Sequence, residues 1–216
     1  CTPDGKSLCV VHAGTHELSV IERAALHEKL ARAAAGERVS EVSKSAGDVP
    51  NDLSFLVGIR RRIALAGNGP RSLILSENTA YAGEYFTDSV SVLELPGEGR
   101  PLIRSIALAG DTPMTREREG ARFFNDAALC FQQWQSCVSC HPDDRVDALN
   151  WDLLNDGIGN PKNTKSMLFS HQTPPAMGLG VRDTAEAAVR AGIRHIQFAV
   201  RPESDAEAID EYLKSL

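Results

Sequence analysis

The feature that most constrains this sequence is a short cysteine pair followed at once by a histidine. Cys137 and Cys140 are three residues apart, a spacing that places both sulfurs on one side of a helical turn. His141 follows directly. Two such thiols can add across the two vinyl groups of a porphyrin, and the adjacent imidazole can then bind the iron as the proximal ligand. The segment therefore predicts one covalently attached haem c.

Three other interpretations of the cysteine pair remain open. A zinc site would need two further ligands at a similar spacing, and the sequence has no second Cys-x-x-Cys pair. A thioredoxin-like redox pair is expected in a βαβ context, whereas the flanks here have a helical pattern. Chance is the third. The other cysteines, Cys1, Cys9 and Cys130, show no pairing scheme, and Cys130 is interpreted as a buried thiol.

The sixth ligand of the iron decides between electron transfer and substrate turnover. Met177 is the preferred candidate, because it lies in a Pro- and Gly-rich loop at 173–178 that can present its thioether rigidly. His171 is the second choice. The remaining candidates are Met114, Met167 and His195. A His/Met pair leaves no open position on the iron and predicts electron transfer.

Several residues near the motif have an ordinary structural interpretation and a functional alternative. Trp134 and Trp151 flank the cysteine pair, and core packing is the first interpretation of both, with packing on the macrocycle as the alternative. Charge complementarity makes Lys162, Asn163 and Lys165 candidates for contacts with haem propionates.

Composition excludes some classes of partner. The 216-residue chain has a net charge of −6, which argues against binding nucleic acid or an anionic membrane surface. The basic cluster at 60–62 is too short to reverse this. No apolar run approaches the roughly 20 residues that a membrane-spanning helix needs, so no transmembrane segment is expected.

The first half of the chain has the alternating pattern of antiparallel strands. The predicted strands span 7–12, 17–21, 71–75, 79–83 and 88–93. Residues 24–57 between them are predicted to form a helical insertion, with a second short helix at 53–57. The hairpins near 3–22 and 69–95 also align as an internal repeat typical of propeller blades or sandwich hairpins, in which 3–5 matches 69–71 and 13–16 matches 85–88.

From about Gly110 the pattern becomes helical, so we expect a domain boundary within 109–113, between domains 1–109 and 110–216. Cap residues predict the helix starts in the second domain. They are Thr115, the pair Asp183 and Glu186, and the pair Ser204 and Glu207.

The second domain resembles a known haem protein family. The stretches 120–126 and 136–141 resemble the haem domains of bacterial di-haem cytochrome c peroxidases and their methylamine-utilisation relatives. The stretches 163–177 and 184–189 are similar to the later part of those domains, where the family places its distal Met and then a helix. This sequence lacks the Arg and Asn that usually follow the family's Thr-Pro-Ser-Leu element, and it has Gly178 where the family often has His.

The first domain is similar to YVTN-type β-propeller repeats, in the turn and strand elements at 3–8 and 88–92. Propellers fused to peroxidase-like cytochrome domains form a recognisable bacterial family, and the resemblance covers nearly the whole chain. It implies a multidomain protein, in which an antiparallel, all-β partial propeller of about two blades precedes a mainly α c-type cytochrome domain. Propellers have 4 to 8 blades. Further blades are therefore expected before Cys1, and a second haem domain is possible beyond Leu216.

The function predicted from these features is electron transfer by a c-type haem, with a redox partner protein or a small-molecule electron donor or acceptor. Two alternatives remain open: a peroxidase-like oxidoreductase that needs a second haem, and a propeller binding module with an accessory haem. Whether the chain is an enzyme is therefore undecided. Covalent haem attachment takes place outside the bacterial cytoplasm, so the expected location is the periplasm or the cell surface.

Overall fold

The computed structural model describes residues 1–95, 101–108, 110, 113–153 and 157–216. The chain divides into two compact units, Cys1–His12 with His16–Ala109, and Ala13–Thr15 with Gly110–Leu216. Within the boundary segment predicted at 109–113, residues 109, 111 and 112 lie outside the described residues.

The described residues of the first unit form two antiparallel sheets. One has strands β1 (Ser7–His12), β2 (Glu17–Glu22) and β3 (Arg60–Ala64) in that order. The other has strands β4 (Pro70–Ser76), β5 (Thr79–Glu84), β6 (Ser89–Glu94) and β7 (Ile103–Ala107), also in sequence order. Apolar side chains from both sheets share one core, formed by Leu18, Val20, Ile63, Ala80 and Leu93. The prediction of antiparallel sheets is confirmed, and these two sheets do not close into a propeller.

The predicted repeat is correct in part. The turn at 13–16 joins β1 to β2, and the turn at 85–88 joins β5 to β6, as the alignment of these turns predicts. The match between 3–5 and 69–71 is wrong. The turn at 3–5 precedes β1, and the corresponding turn of the second hairpin is 77–78, which precedes β5. Residues 69–71 lie instead at the start of β4.

Strands β3 and β7 were not predicted. The arginines of β3 hide its alternation in the sequence. One of them forms an ion pair with a residue of the neighbouring strand β2. Arg62 Nε donates to Glu17 Oε2 at 2.8 Å across the two strands. The basic cluster is thus partly neutralised within the sheet.

The insertion at 24–57 is helical only in parts. Helix α1 spans Arg23–Ala34, and a short 3₁₀ helix spans Ala46–Asn51. The short helix predicted at 53–57 is wrong, since these residues form turns. The Asp52 carboxylate accepts hydrogen bonds from the Ser43 hydroxyl at 2.7 Å and from the Ser54 amide at 2.9 Å, which favours a turn over a helix.

The described part of the second unit has four further α-helices and one short hairpin. The helices are α2 (Arg116–Asn125), α3 (Cys137–Cys140), α4 (Ala185–His195) and α5 (Glu203–Lys214), and the hairpin pairs β8 (Asn150–Trp151) with β9 (Lys162–Asn163). Short 3₁₀ helices span Ala127–Leu129, Phe131–Gln133, Pro142–Asp144, Ser170–Gln172 and Gly178–Gly180.

One of the three predicted helix starts is correct. The Thr115 hydroxyl accepts from the Arg118 amide at 3.2 Å and caps α2 as expected. Helix α4 is capped by Thr184 rather than Asp183, because the Thr184 hydroxyl accepts from the amide three residues on, at 3.1 Å. Helix α5 begins at Glu203, directly after Pro202, so the pair predicted at Ser204 and Glu207 lies inside the helix.

Helices α2 and α5 cross closely at Gly120. A Cβ atom at this position would lie 1.9 Å from the Ala208 carbonyl oxygen, so only glycine permits the crossing. The crossing brings Phe124 of α2 against Tyr212 of α5, with ring centroids 5.6 Å apart. The Tyr212 hydroxyl donates to Asp144 at 2.7 Å, which ties the segment after α3 to this helix pair.

Candidate haem-binding cavity

A cavity of about 470 Å³ lies within the second unit, a size in the range of small-molecule and cofactor sites. Its walls include Cys137, Cys140, His141 and Met177. The two thiols, the imidazole and the thioether predicted from separate parts of the sequence are thus brought to one space. The remaining wall is largely apolar, with side chains such as Phe124, Trp151, Leu153, Val189, Ile193, Ile209 and Leu213. This donor set and wall fit a c-type haem.

The cysteine pair lies on the single turn of α3. Ser136 and Ser139 stabilise this turn, with the Ser136 amide donating to the Ser139 hydroxyl at 3.0 Å. Gln197 donates through Nε2 to the Cys137 sulfur at 3.5 Å. Burial, with a smaller contribution from Cys140, raises the pKa of the Cys137 thiol to about 12. Burial also raises the pKa of the Cys140 thiol, so both groups are neutral thiols at ordinary pH.

The imidazole of His141 is oriented by the backbone. Its Nδ1 lies 2.8 Å from the Lys165 carbonyl oxygen, a contact that requires the proton on Nδ1 and leaves the lone pair on Nε2. Burial lowers the pKa of His141, although the hydrogen bond to the Lys165 carbonyl and the nearby Arg145 carbonyl oppose this effect. A neutral imidazole with a fixed tautomer is the form that ligates iron.

Backbone hydrogen bonds hold the loop that carries Met177. The Ala176 amide donates to the Arg182 carbonyl at 2.8 Å, and the Gly180 amide donates to the Met177 carbonyl at 3.2 Å. The next residue, Gly178, lies against the Lys162 side chain, where a Cβ atom would come within 2.2 Å of Cδ.

The structure places the other ligand candidates differently. His171 and Met167 line the cavity, whereas Met114 and His195 do not. Met167 also packs against the helical core. His171 is engaged by a carboxylate, since its Nε2 lies 3.1 Å from Asp210 Oδ1.

Sequence reasoning missed the ion network around His171. Asp210 of α5 binds the imidazole of His171 through one oxygen and Arg190 of α4 through the other. Arg190 Nε also donates to Glu203 Oε1 at 2.8 Å. The sequence signal was weak: Asp210 follows Ile209 directly, on a helix whose apolar stripe gave no reason to expect a buried carboxylate.

The residues that flank the motif separate into two groups. Trp151, Lys162, Asn163 and Lys165 line the cavity. Trp134 does not, and its 69% exposure rules out the expected core packing. Cys130 is buried, as expected, at 5% exposure.

Asp147 braces the cavity wall that β8 and β9 form. One carboxylate oxygen accepts from the Thr164 hydroxyl at 2.7 Å, and the other accepts from the Trp151 indole at 2.7 Å. These bonds and the Leu149 amide hold the pKa of Asp147 below its ordinary value, although partial burial opposes them.

The lowered pKa of Asp147 predicts a pH dependence. A carboxyl group with a lowered folded-state pKa stabilises the fold above its unfolded pKa, and this contribution is lost as the pH falls below the ordinary value of 3.8. We expect Asp147→Asn to reduce stability at pH 7 and to flatten the acid limb of a stability–pH curve measured by urea unfolding. Glu207→Gln, at an exposed site, is the control and should keep the acid limb of the parent protein. An unchanged acid limb in Asp147→Asn would show that these bonds do not stabilise the wall.

No group of three or more His, Cys, Asp or Glu side chains in the described part of the chain is arranged to hold a metal ion. None of the helices in the described ranges is long and apolar enough to cross a membrane.

Comparison with known proteins gives a short similarity. Over 59 residues the chain is 42% identical to hydrazine synthase subunit gamma of Kuenenia stuttgartiensis. The match covers 27% of this chain and 17% of that subunit. No protein-family model matches the chain, and no solved structure matches it.

Proposed function

We propose that this chain binds one haem c through Cys137 and Cys140, with His141 and Met177 as axial ligands, and that it transfers electrons. One observation carries the proposal. Two thiols, an imidazole and a thioether, predicted from two separate segments, line the same largely apolar cavity of about 470 Å³.

Each of these residues has a defined task. When bound, the haem supplies a one-electron couple at its iron. His141, with Nδ1 held by the Lys165 carbonyl, offers its Nε2 lone pair in one orientation. Met177 would be the second ligand and would leave no position for an exogenous one, and a His/Met pair raises the reduction potential of a c-type haem. The largely apolar wall would favour the less charged ferrous state.

The wider context is part of the proposal. The two antiparallel sheets of the first unit support a partial YVTN-type propeller that precedes the haem-binding unit. The similarity to a subunit of hydrazine synthase supports a place in a multi-subunit redox protein, with a partner protein as donor or acceptor of electrons. Covalent haem attachment takes place outside the bacterial cytoplasm, which supports a location in the periplasm or at the cell surface. A second haem domain in the same polypeptide belongs to the same proposal.

The test is the coordination state of the loaded protein. We expect a low-spin ferric spectrum, reversible reduction by ascorbate or dithionite, and no binding of carbon monoxide to the ferrous form, because both axial positions are filled. High-spin ferric haem with turnover of hydrogen peroxide would contradict electron transfer and favour the peroxidase-like alternative. A pyridine haemochrome spectrum of the same sample is the control that measures the amount of haem present.

A further inference from the structure

Two potential distal ligands line the same cavity. His171 and Met177 are six residues apart, and both contribute to its wall. Imidazole nitrogen is a good ligand for iron, and a thioether is a softer and weaker one for the ferric state. A histidine at the cavity wall therefore competes with the methionine unless another group holds it.

Asp210 is that group. Its Oδ1 lies 3.1 Å from His171 Nε2, and the two side chains are only 4% and 5% exposed. A carboxylate can only accept, so Nε2 carries the proton and has no lone pair for iron. The other ring nitrogen, Nδ1, then keeps its lone pair, and the Ser170 hydroxyl, 3.4 Å away, donates to it.

The position of Asp210 is itself fixed. Its second oxygen accepts from Arg190 Nη1, which keeps a cation beside the carboxylate. Its neighbours on α5, Ile209 and Leu213, are buried in the helical core. A carboxylate held in this way cannot follow the imidazole if His171 moves towards the cavity.

The buried network is not needed to neutralise Arg190. That guanidinium already has an exposed partner in Glu203, at 2.5 Å. Buried ionic groups often add little net stability over apolar residues of similar volume, and their best-attested use is to impose one arrangement among several. The arrangement at issue here is the choice of distal ligand.

We propose that Asp210 selects the distal ligand of the haem by holding His171 away from the iron, so that Met177 takes the position. This inference rests on the proposed function, since it needs a haem in the cavity. Asp210 is a positioning residue in this account, acting only through the imidazole of His171.

The first test is Asp210→Asn in the haem-loaded protein. The amide oxygen of Asn is expected to stay with Arg190, so the NH₂ group faces His171. His171 Nε2 then has no acceptor for its proton, and the imidazole loses the bond that holds it. We expect the far-red charge-transfer band of Met-ligated ferric haem to fall by at least half, with a bis-histidine low-spin spectrum and a lower midpoint potential in its place. An unchanged band in a folded, haem-loaded Asp210→Asn protein would overturn the proposal.

Three controls separate ligand selection from a structural role. His171→Gln alone should keep the band, and the double variant Asp210→Asn with His171→Gln should restore it. Loss of the band in the double variant would overturn the proposal, because no competing imidazole remains. Asp210→Glu, which keeps the carboxylate, should keep most of the band.

A second variant tests the same inference without altering the buried network. Met177→Leu leaves Asp210 in place, so we expect a high-spin ferric haem rather than replacement of the methionine by His171. A bis-histidine spectrum in Met177→Leu would overturn the proposal. If the unsubstituted protein holds haem but lacks the charge-transfer band, the Met177 assignment of the proposed function is wrong. If the unsubstituted protein has the band and a variant departs from its expected spectrum, the role of Asp210 is wrong.

Discussion

Replacing both Cys137 and Cys140 by serine is expected to abolish covalent haem attachment. The two sulfurs lie on the one turn of α3, and they are the thiols of the cavity wall among the described residues. The measurement is the intact mass of exported protein after acid–acetone extraction, which removes haem that is not covalently bound. The parent protein should keep the mass of one haem, and the double variant should have none.

Cys130→Ser is the matched control for this experiment. Cys130 is buried and does not belong to the cavity wall, so its variant should retain a full complement of haem. Haem that survives extraction in the double variant, or its loss in Cys130→Ser, would contradict the assignment of the attachment cysteines.

Substituting valine for Gly120 is expected to destabilise the second unit by at least about 3 kcal/mol, at the upper end of overpacking effects. A Cβ atom at this position would lie 1.9 Å from the Ala208 carbonyl oxygen and 2.8 Å from Tyr212 Cβ. Backbone cannot rotate away as a side chain can, so α2 and α5 must separate. The measurement is the free energy of unfolding in urea, followed by far-UV circular dichroism.

Ala187→Val is the control for the valine itself. Ala187 is exposed on α4, where the change should cost less than about 1 kcal/mol through helix propensity alone. Equal effects at the two positions would show that the close crossing does not limit stability.

The elements that the sequence predicted best are those with local physical causes. Strand β1 follows from a short apolar run bounded by turn residues, and Thr115 caps α2 because a hydroxyl ahead of a helical run satisfies a backbone amide of the first turn. The Cys137–His141 motif is likewise local, since its chemistry depends on residues within one turn. These predictions needed no knowledge of the tertiary fold.

The features that escaped sequence reasoning depend on distant partners. Arg62 lies opposite Ser19 in the sheet and binds Glu17 diagonally, and the sequence around Arg62 alone does not show these partners. Asp210 is buried because His171 and Arg190, on two other segments, both bind it.

The central claim is that His141 and Met177 are the axial ligands of a haem that transfers electrons. The most direct test is the far-red charge-transfer band of the ferric, haem-loaded protein, compared in Met177→Leu and in Met167→Leu, a second methionine of the same cavity wall. Our account predicts that the band is present in the parent protein and in Met167→Leu and is absent in Met177→Leu. A band that survives in Met177→Leu, or disappears only in Met167→Leu, would contradict it.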